Sequence, residues 1–206
     1  MVTSTETLEE GADVIVPLAL RAQGRYAYTP STATYLRVIP DKERDWDISL
    51  YDTEQKSWSK HPSSQAKQLN VLFYVDPEDP NKPDNTNDID LFTSLQCAVF
   101  VVRIINHKDN KHHWRFHADG LSYQDNIESL NCRITTKVEE KGQLLIITVD
   151  QVKVPAGQVG MSAFTSLPFR YLAICLSKKD LGSGTMPIYY SQDPSIGIGA
   201  TSGSPP

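Results

Sequence analysis

Asn131-Cys132-Arg133-Ile134-Thr135-Thr136-Lys137-Val138, then Glu139-Glu140-Lys141-Gly142, then Leu144-Leu145-Ile146-Ile147-Thr148-Val149-Asp150 decide the fold. Cys132, Ile134, Thr136 and Val138 alternate with Asn131, Arg133, Thr135 and Lys137. Successive side chains of a strand point to opposite faces, so this is a strand with one core face and one wet face. The Glu139 to Gly142 segment has turn composition and leads into the apolar run 144–154, which predicts a β-hairpin.

Working outward, strand-length runs recur between Gly and Pro punctuation. Residues 98–105 (Ala-Val-Phe-Val-Val-Arg-Ile-Ile) and 69–75 are nearly continuous apolar runs, as expected of strands covered on both sides. Further strands are predicted over 13–20, 34–39, 47–51 and 169–177, with a last edge strand over 188–190. The core is expected to hold Cys132/Ile134/Val138, Leu145/Ile147/Val149 and Leu172/Ile174/Leu176, with Trp114 and Phe116. Only short helical pieces are expected, near 63–68 and 88–95, because no stretch carries a long apolar stripe of helical period. The pattern predicts an all-β fold: an antiparallel β-sandwich, jelly-roll-like or a flattened barrel. One domain is expected over 12–196, between an acidic tail at 1–11 and a Gly/Ser/Pro tail at 197–206.

The chain has 206 residues, with 20 Lys+Arg against 25 Asp+Glu and a net charge of −5. That balance argues against a nucleic-acid partner, which calls for a basic field. The longest unbroken apolar run, 97–102, is far short of the roughly 20 residues of a membrane span, and the acidic N-terminus is unlike a signal peptide. Cys97, Cys132 and Cys175 sit singly in apolar stretches and read as reduced, buried thiols. A cytoplasmic location is expected.

Four of the five histidines fall in 107–117 (His107, His112, His113 and His117), which raises the question of a metal site. In a strand, His113, Arg115, His117 and Asp119 share one face and Trp114, Phe116 and Ala118 the other. His113 and His117 would then lie about 13 Å apart, too far to share one ion. A half-buried strand with a polar outer face is the expected reading. The acidic segment 76–90 has oxygen ligands but not the Gly and Glu positions of a calcium-binding EF-hand loop, and reads as a solvated loop. Gly160-Met161-Ser162 and Gly120-Leu121-Ser122 are incomplete nucleophile elbows, and Gly182-Ser183-Gly184 opens no helix that could cradle phosphate. Trp46, Trp58, Tyr51, Tyr74, Tyr123, Tyr189 and Tyr190 could form a sugar-stacking platform, although packing accounts for most of them. No residue is assigned a catalytic, cofactor-binding or metal-binding role.

Short segments give a family resemblance. Leu69-Asn-Val-Leu-Phe-Tyr-Val-Asp76, the pair Trp114-Arg115, and Tyr171 to Leu176 followed by Tyr189-Tyr190-Ser-Gln-Asp193-Pro194-Ser-Ile196 resemble the bacterial inclusion-body protein family of AidA/PixA type. The resemblance spans about 70–198 and implies a β-sandwich that self-associates into cytoplasmic inclusions without catalysis. The expected function is accordingly a non-enzymatic structural or interaction protein acting as a homo-oligomer. A carbohydrate- or protein-binding module, a viral capsid-like jelly roll and a metal-dependent enzyme are its rivals.

Overall fold

A computed structural model of the chain describes residues 31–60, 69–74, 97–106, 113–123, 131–153, 165–176 and 186–201. These residues form eleven strands: β1 (Ser31–Ile39), β2 (Asp47–Asp52), β3 (Ser57–Lys60), β4 (Leu69–Tyr74), β5 (Cys97–Ile104), β6 (His113–Tyr123), β7 (Arg133–Glu139), β8 (Leu144–Asp150), β9 (Thr165–Leu176), β10 (Ile188–Tyr190) and β11 (Ser195–Thr201). The predicted strand at 13–20, both helical pieces and the 76–90 loop lie outside the described residues.

Two sheets face each other across one core, with no closed barrel. The first has the order β3-β2-β1-β5-β8-β7. In the second, β9 pairs with β6, β10 and β11, and β11 pairs in turn with β4. The all-β sandwich is therefore as expected, but its pairing is not wholly antiparallel. Strands β1 and β5 run parallel, as do β11 and β4.

Alternation sets the core. Leu36 and Val38 of β1, Phe100 and Val102 of β5, and Leu145, Ile147 and Val149 of β8 project inward from the first sheet. They meet Phe73, Phe169, Tyr171, Ile196 and Ile198 of the second. Burying one such side chain contributes roughly 1.5–3 kcal/mol relative to leaving it in water. The predicted hairpin is present: β7 and β8 pair antiparallel from Arg133↔Asp150 to Glu139↔Leu144. Its turn is a short 3-10 segment, Glu140–Gly142, with three successive positive φ angles ending at Gly142 (+90°). A Cβ at Gly142 would stand 2.9 Å from the Cβ of Arg115, so the turn also depends on glycine for close approach. As read from the continuous apolar run, β5 is covered on both faces: Cys97, Val99 and Val101 on the side away from the core are each 2% exposed.

Three expectations change. In β9 the core face is Leu167, Phe169, Tyr171, Ala173 and Cys175, whereas Leu172, Ile174 and Leu176 are half-buried on the outer face. Both faces of this strand are apolar, so composition left its phase open. Small Cys175 and Ala173 stand opposite Trp114 and Phe116 of β6 and leave room for those rings. In β6, Trp114 and Phe116 are buried as expected, but Ala118 is exposed with φ +49°. The register shifts between Phe116 and Leu121, a bulge that turns Leu121 back into the core around Gly120 (φ +78°). Finally, 197–201, expected in a tail, belongs to β11, held between β9 and β4, with Ile198 fully buried. Ile196 and Ile198 alternate with glycine, and this pattern supplies a one-faced strand despite its linker-like composition.

Two side-chain amides tie the sheets together. Gln192 accepts a hydrogen bond from the Trp46 N–H (3.0 Å) and donates to its carbonyl (2.8 Å). Asn106 does the same for Trp114, at 2.7 and 3.3 Å. Both substitute for a strand partner and fix the ring cluster Trp46–Trp114–Tyr189, whose successive centroids lie 6.2 and 5.1 Å apart.

Candidate functional site

The sequence-predicted candidates disperse. His107 and His112 lie outside the described residues, His113 is exposed and His117 half-buried on the outer side of β6. Among the described residues, no three His, Cys, Asp or Glu side chains come together as a metal site. Gly160 to Ser162 and Gly182 to Gly184 are outside the described residues, and Gly120 to Ser122 is the end of the β6 bulge. Cys97 and Cys175 are buried and Cys132 half-buried, with no disulfide. Burial, reinforced by the Asp150 carboxylate, pushes the Cys132 thiol up to about 11, which suppresses its thiolate. Asp150 itself is buried and accepts both hydrogen bonds of an Arg133 fork, at 2.8 and 2.6 Å.

The aromatic candidates divide by face. Trp46 is 2% exposed and belongs to the core, and Tyr189 packs on Trp114. Tyr123 is half-buried, and burial followed by the Asp119 charge pushes its phenol up to about 12. The side chain of Tyr74 is outside the described residues. Two surfaces remain.

The first is the outer face of β9 and β10. Tyr189 points into the core, so Ile188 and Tyr190 point out, 40% and 52% exposed, beside Met186 at 55%. Their partners across the pair are Ile174 and Leu172, which extend the same apolar strip. Strand β10 pairs only with β9, leaving its other edge without a described strand. The strip is bordered by exposed Arg115, which pairs with Ile174, and by the Arg170–Asp193 ion pair.

The second lies on the outer face of the other sheet, where cross-strand register builds two rows. One row is aromatic: Trp58 stands opposite Tyr51, whose ring meets Tyr35, with centroid distances of 5.1 and 6.2 Å. The neighbouring row is cationic: Lys60 opposite Ser49, Ser49 opposite Arg37, and Arg37 opposite Arg103. Arg103 donates a fork to Glu140 (2.8 and 3.2 Å) and Lys60 pairs with Asp47 (2.7 Å). The Arg37 guanidinium lies 4.8 Å from the Trp58 ring centroid, and its Nε is buried with no hydrogen-bond partner. Desolvation lowers its pKa from the ordinary arginine value. Tyr35, Leu36, Arg37, Trp58, Val101, Arg103 and Ile105 line a hollow of about 10 Å³, room for one water. Sequence reasoning named Tyr51 and Trp58 but missed Arg37 and Tyr35, because only the β3-β2-β1-β5 order brings them together.

No curated protein sequence matches the chain. Among solved structures, a cysteine protease inhibitor from Entamoeba histolytica is 13% identical over 50% of this chain and 77% of its own, with a TM-score of 0.17. That score is too low for either fold or function to carry over. The resemblance to the inclusion-body family does not hold. Its segments are parts of β4, β6, β9, β10 and β11, and such apolar strands recur in any sandwich. A family model instead matches residues 13–200, nearly the whole chain, and the chain belongs to the DP-EP family.

Proposed function

We propose that this is a non-enzymatic structural or interaction protein that self-associates through the edge and outer face of β10. The carrying observation is that Met186, Ile188 and Tyr190, the exposed large apolar side chains of the described residues, fall together on and beside one edge strand. Natural sheets guard such edges with charge or cover, because unpaired N–H and C=O groups recruit further strands. The edges of the other sheet obey that rule: β3 is Ser-Trp-Ser-Lys, and β7 presents Arg133, Thr135 and Lys137. A second copy pairing β10 against β10 would extend the sheet and bring the two Ile188/Tyr190 strips side by side, covering apolar surface on both.

The test is mass in solution by size-exclusion chromatography with light scattering over a hundredfold concentration range. Discrete oligomers are expected, reverting toward the 23.0 kDa monomer in the double variant Ile188→Lys/Tyr190→Lys. A wild-type monomer throughout, or oligomers untouched by the double variant, would overturn the reading.

A further inference from the structure

Going beyond self-association, we infer that the paired aromatic and cationic rows on β3, β2, β1 and β5 form a binding site for a uronic acid sugar, a single ring with one attached carboxylate. A sugar ring offers a flat face of C–H groups to the part of the half-buried Trp58 and Tyr51 rings left open to water, and its carboxylate reaches the guanidinium of Arg37, which lies beside Trp58. The ring stack and the cation sit in adjacent register rows, two residues and about 7 Å apart along each strand, a span that a sugar ring with its directly attached carboxylate can bridge.

Charge bookkeeping selects this ligand over others. Lys60 is matched by Asp47 and Arg103 by Glu140, so the rows carry one cation, Arg37, without a carboxylate among the described residues. A nucleic-acid strand needs several uncommitted cations, one for each phosphate it neutralises. A neutral glycan would leave the desolvated Arg37 unanswered. A single carboxylate answers it with a charge-assisted fork.

The experiment titrates the full chain with galacturonic acid, neutral galactose, an eight-residue oligothymidylate and inorganic sulfate, following tryptophan fluorescence. Trp46 and Trp114 are 2% and 3% exposed, so a change on binding reports Trp58, and Trp58→Phe should abolish it. The expected result is a saturable change with the uronate alone, weakened roughly tenfold or more in Arg37→Gln. Arg37→Lys, which keeps the charge and loses the fork, should bind between wild type and Arg37→Gln. Variants are compared at equal unfolding midpoints, and Ile188→Lys should bind as wild type does. No saturation by about 10 mM uronate, a limit near −3 kcal/mol, would overturn the proposal. So would equal binding by Arg37→Gln, equal binding of galactose, tighter binding of the oligothymidylate, or full displacement of the uronate by equimolar sulfate.

Discussion

Both sheets carry apolar side chains on the side away from the core, but water reaches them very differently. On the six-stranded sheet, Cys97, Val99 and Val101 are 2% exposed and Leu144 1%. On the other, Ile188 and Tyr190 are 40% and 52% exposed above half-buried Leu172 and Ile174. Hydrophobic driving force scales with apolar area still in contact with water. In a single copy of the chain, the first face has already spent its share on folding, while the second still holds it in reserve. Substitutions of Cys97, Val99, Val101 or Leu144 should therefore read as stability and those on the β10 strip as association.

The largest expected effect is on the closed face. Val99→Asp would place a charge with no partner where the valine is 2% exposed, at a cost of about 3–5 kcal/mol or outright loss of the fold. Urea unfolding measures it. A loss below about 1 kcal/mol would show that this face opens readily to water and would erase the contrast between the sheets.

Alkaline pH tests how dry the closed part of the molecule is. The Cys132 thiol, on the inner side of the β7–β8 hairpin, is pushed up to about 11, above the range of an unfolded thiol. Between about pH 9 and pH 11 the unfolded chain gives up a proton that the native state keeps. The contribution is thus intact below about pH 9 and lost as pH rises through 11, and Tyr123 prolongs the decline. Unfolding midpoints at pH 8 and about pH 10.5 should differ less in Cys132→Ala than in wild type. An unchanged difference would assign the alkaline loss to other groups.

The smallest change in stability is expected on the open face. Ile188→Lys/Tyr190→Lys should move the unfolding free energy of dilute protein by no more than about 0.5 kcal/mol. A loss above about 2 kcal/mol would mean that the strip packs within the chain and would remove it as an interface.

Legibility in the sequence followed how much each segment depends on its neighbours. The β7–β8 hairpin was readable because Cys132/Ile134/Val138 alternate strictly and a glycine ends the turn. Strand β5 was readable as doubly covered because nothing polar interrupts 97–102. The phase of β9 was not, since Leu172/Ile174/Leu176 and Tyr171/Ala173/Cys175 are both plausible cores, and the opposing Trp114 and Phe116 settle it. The Gly-Ile-Gly-Ala-Thr part of β11, 197–201, looked like linker because its composition is small and flexible, and its alternation with Ile196 and Ile198 gains meaning only when β4 and β9 flank it. At the surface, Trp58 and Tyr51 were legible as aromatic candidates, whereas Arg37 joins them only through the placement of β1 between β2 and β5.

The β4–β11 pairing joins residues near position 70 to residues near 200 by parallel hydrogen bonding. During synthesis, β4 emerges long before its partner, and the second sheet cannot be completed until the residues near 200 have left the ribosome. Closing so long a loop carries an entropic cost that only the β4–β11 pairing repays, so folding is set to be slow and strongly non-local. Until then β4 waits with an unpaired edge. The nascent chain passes through an aggregation-prone interval, and shielding that strand by a chaperone would govern the yield of native protein.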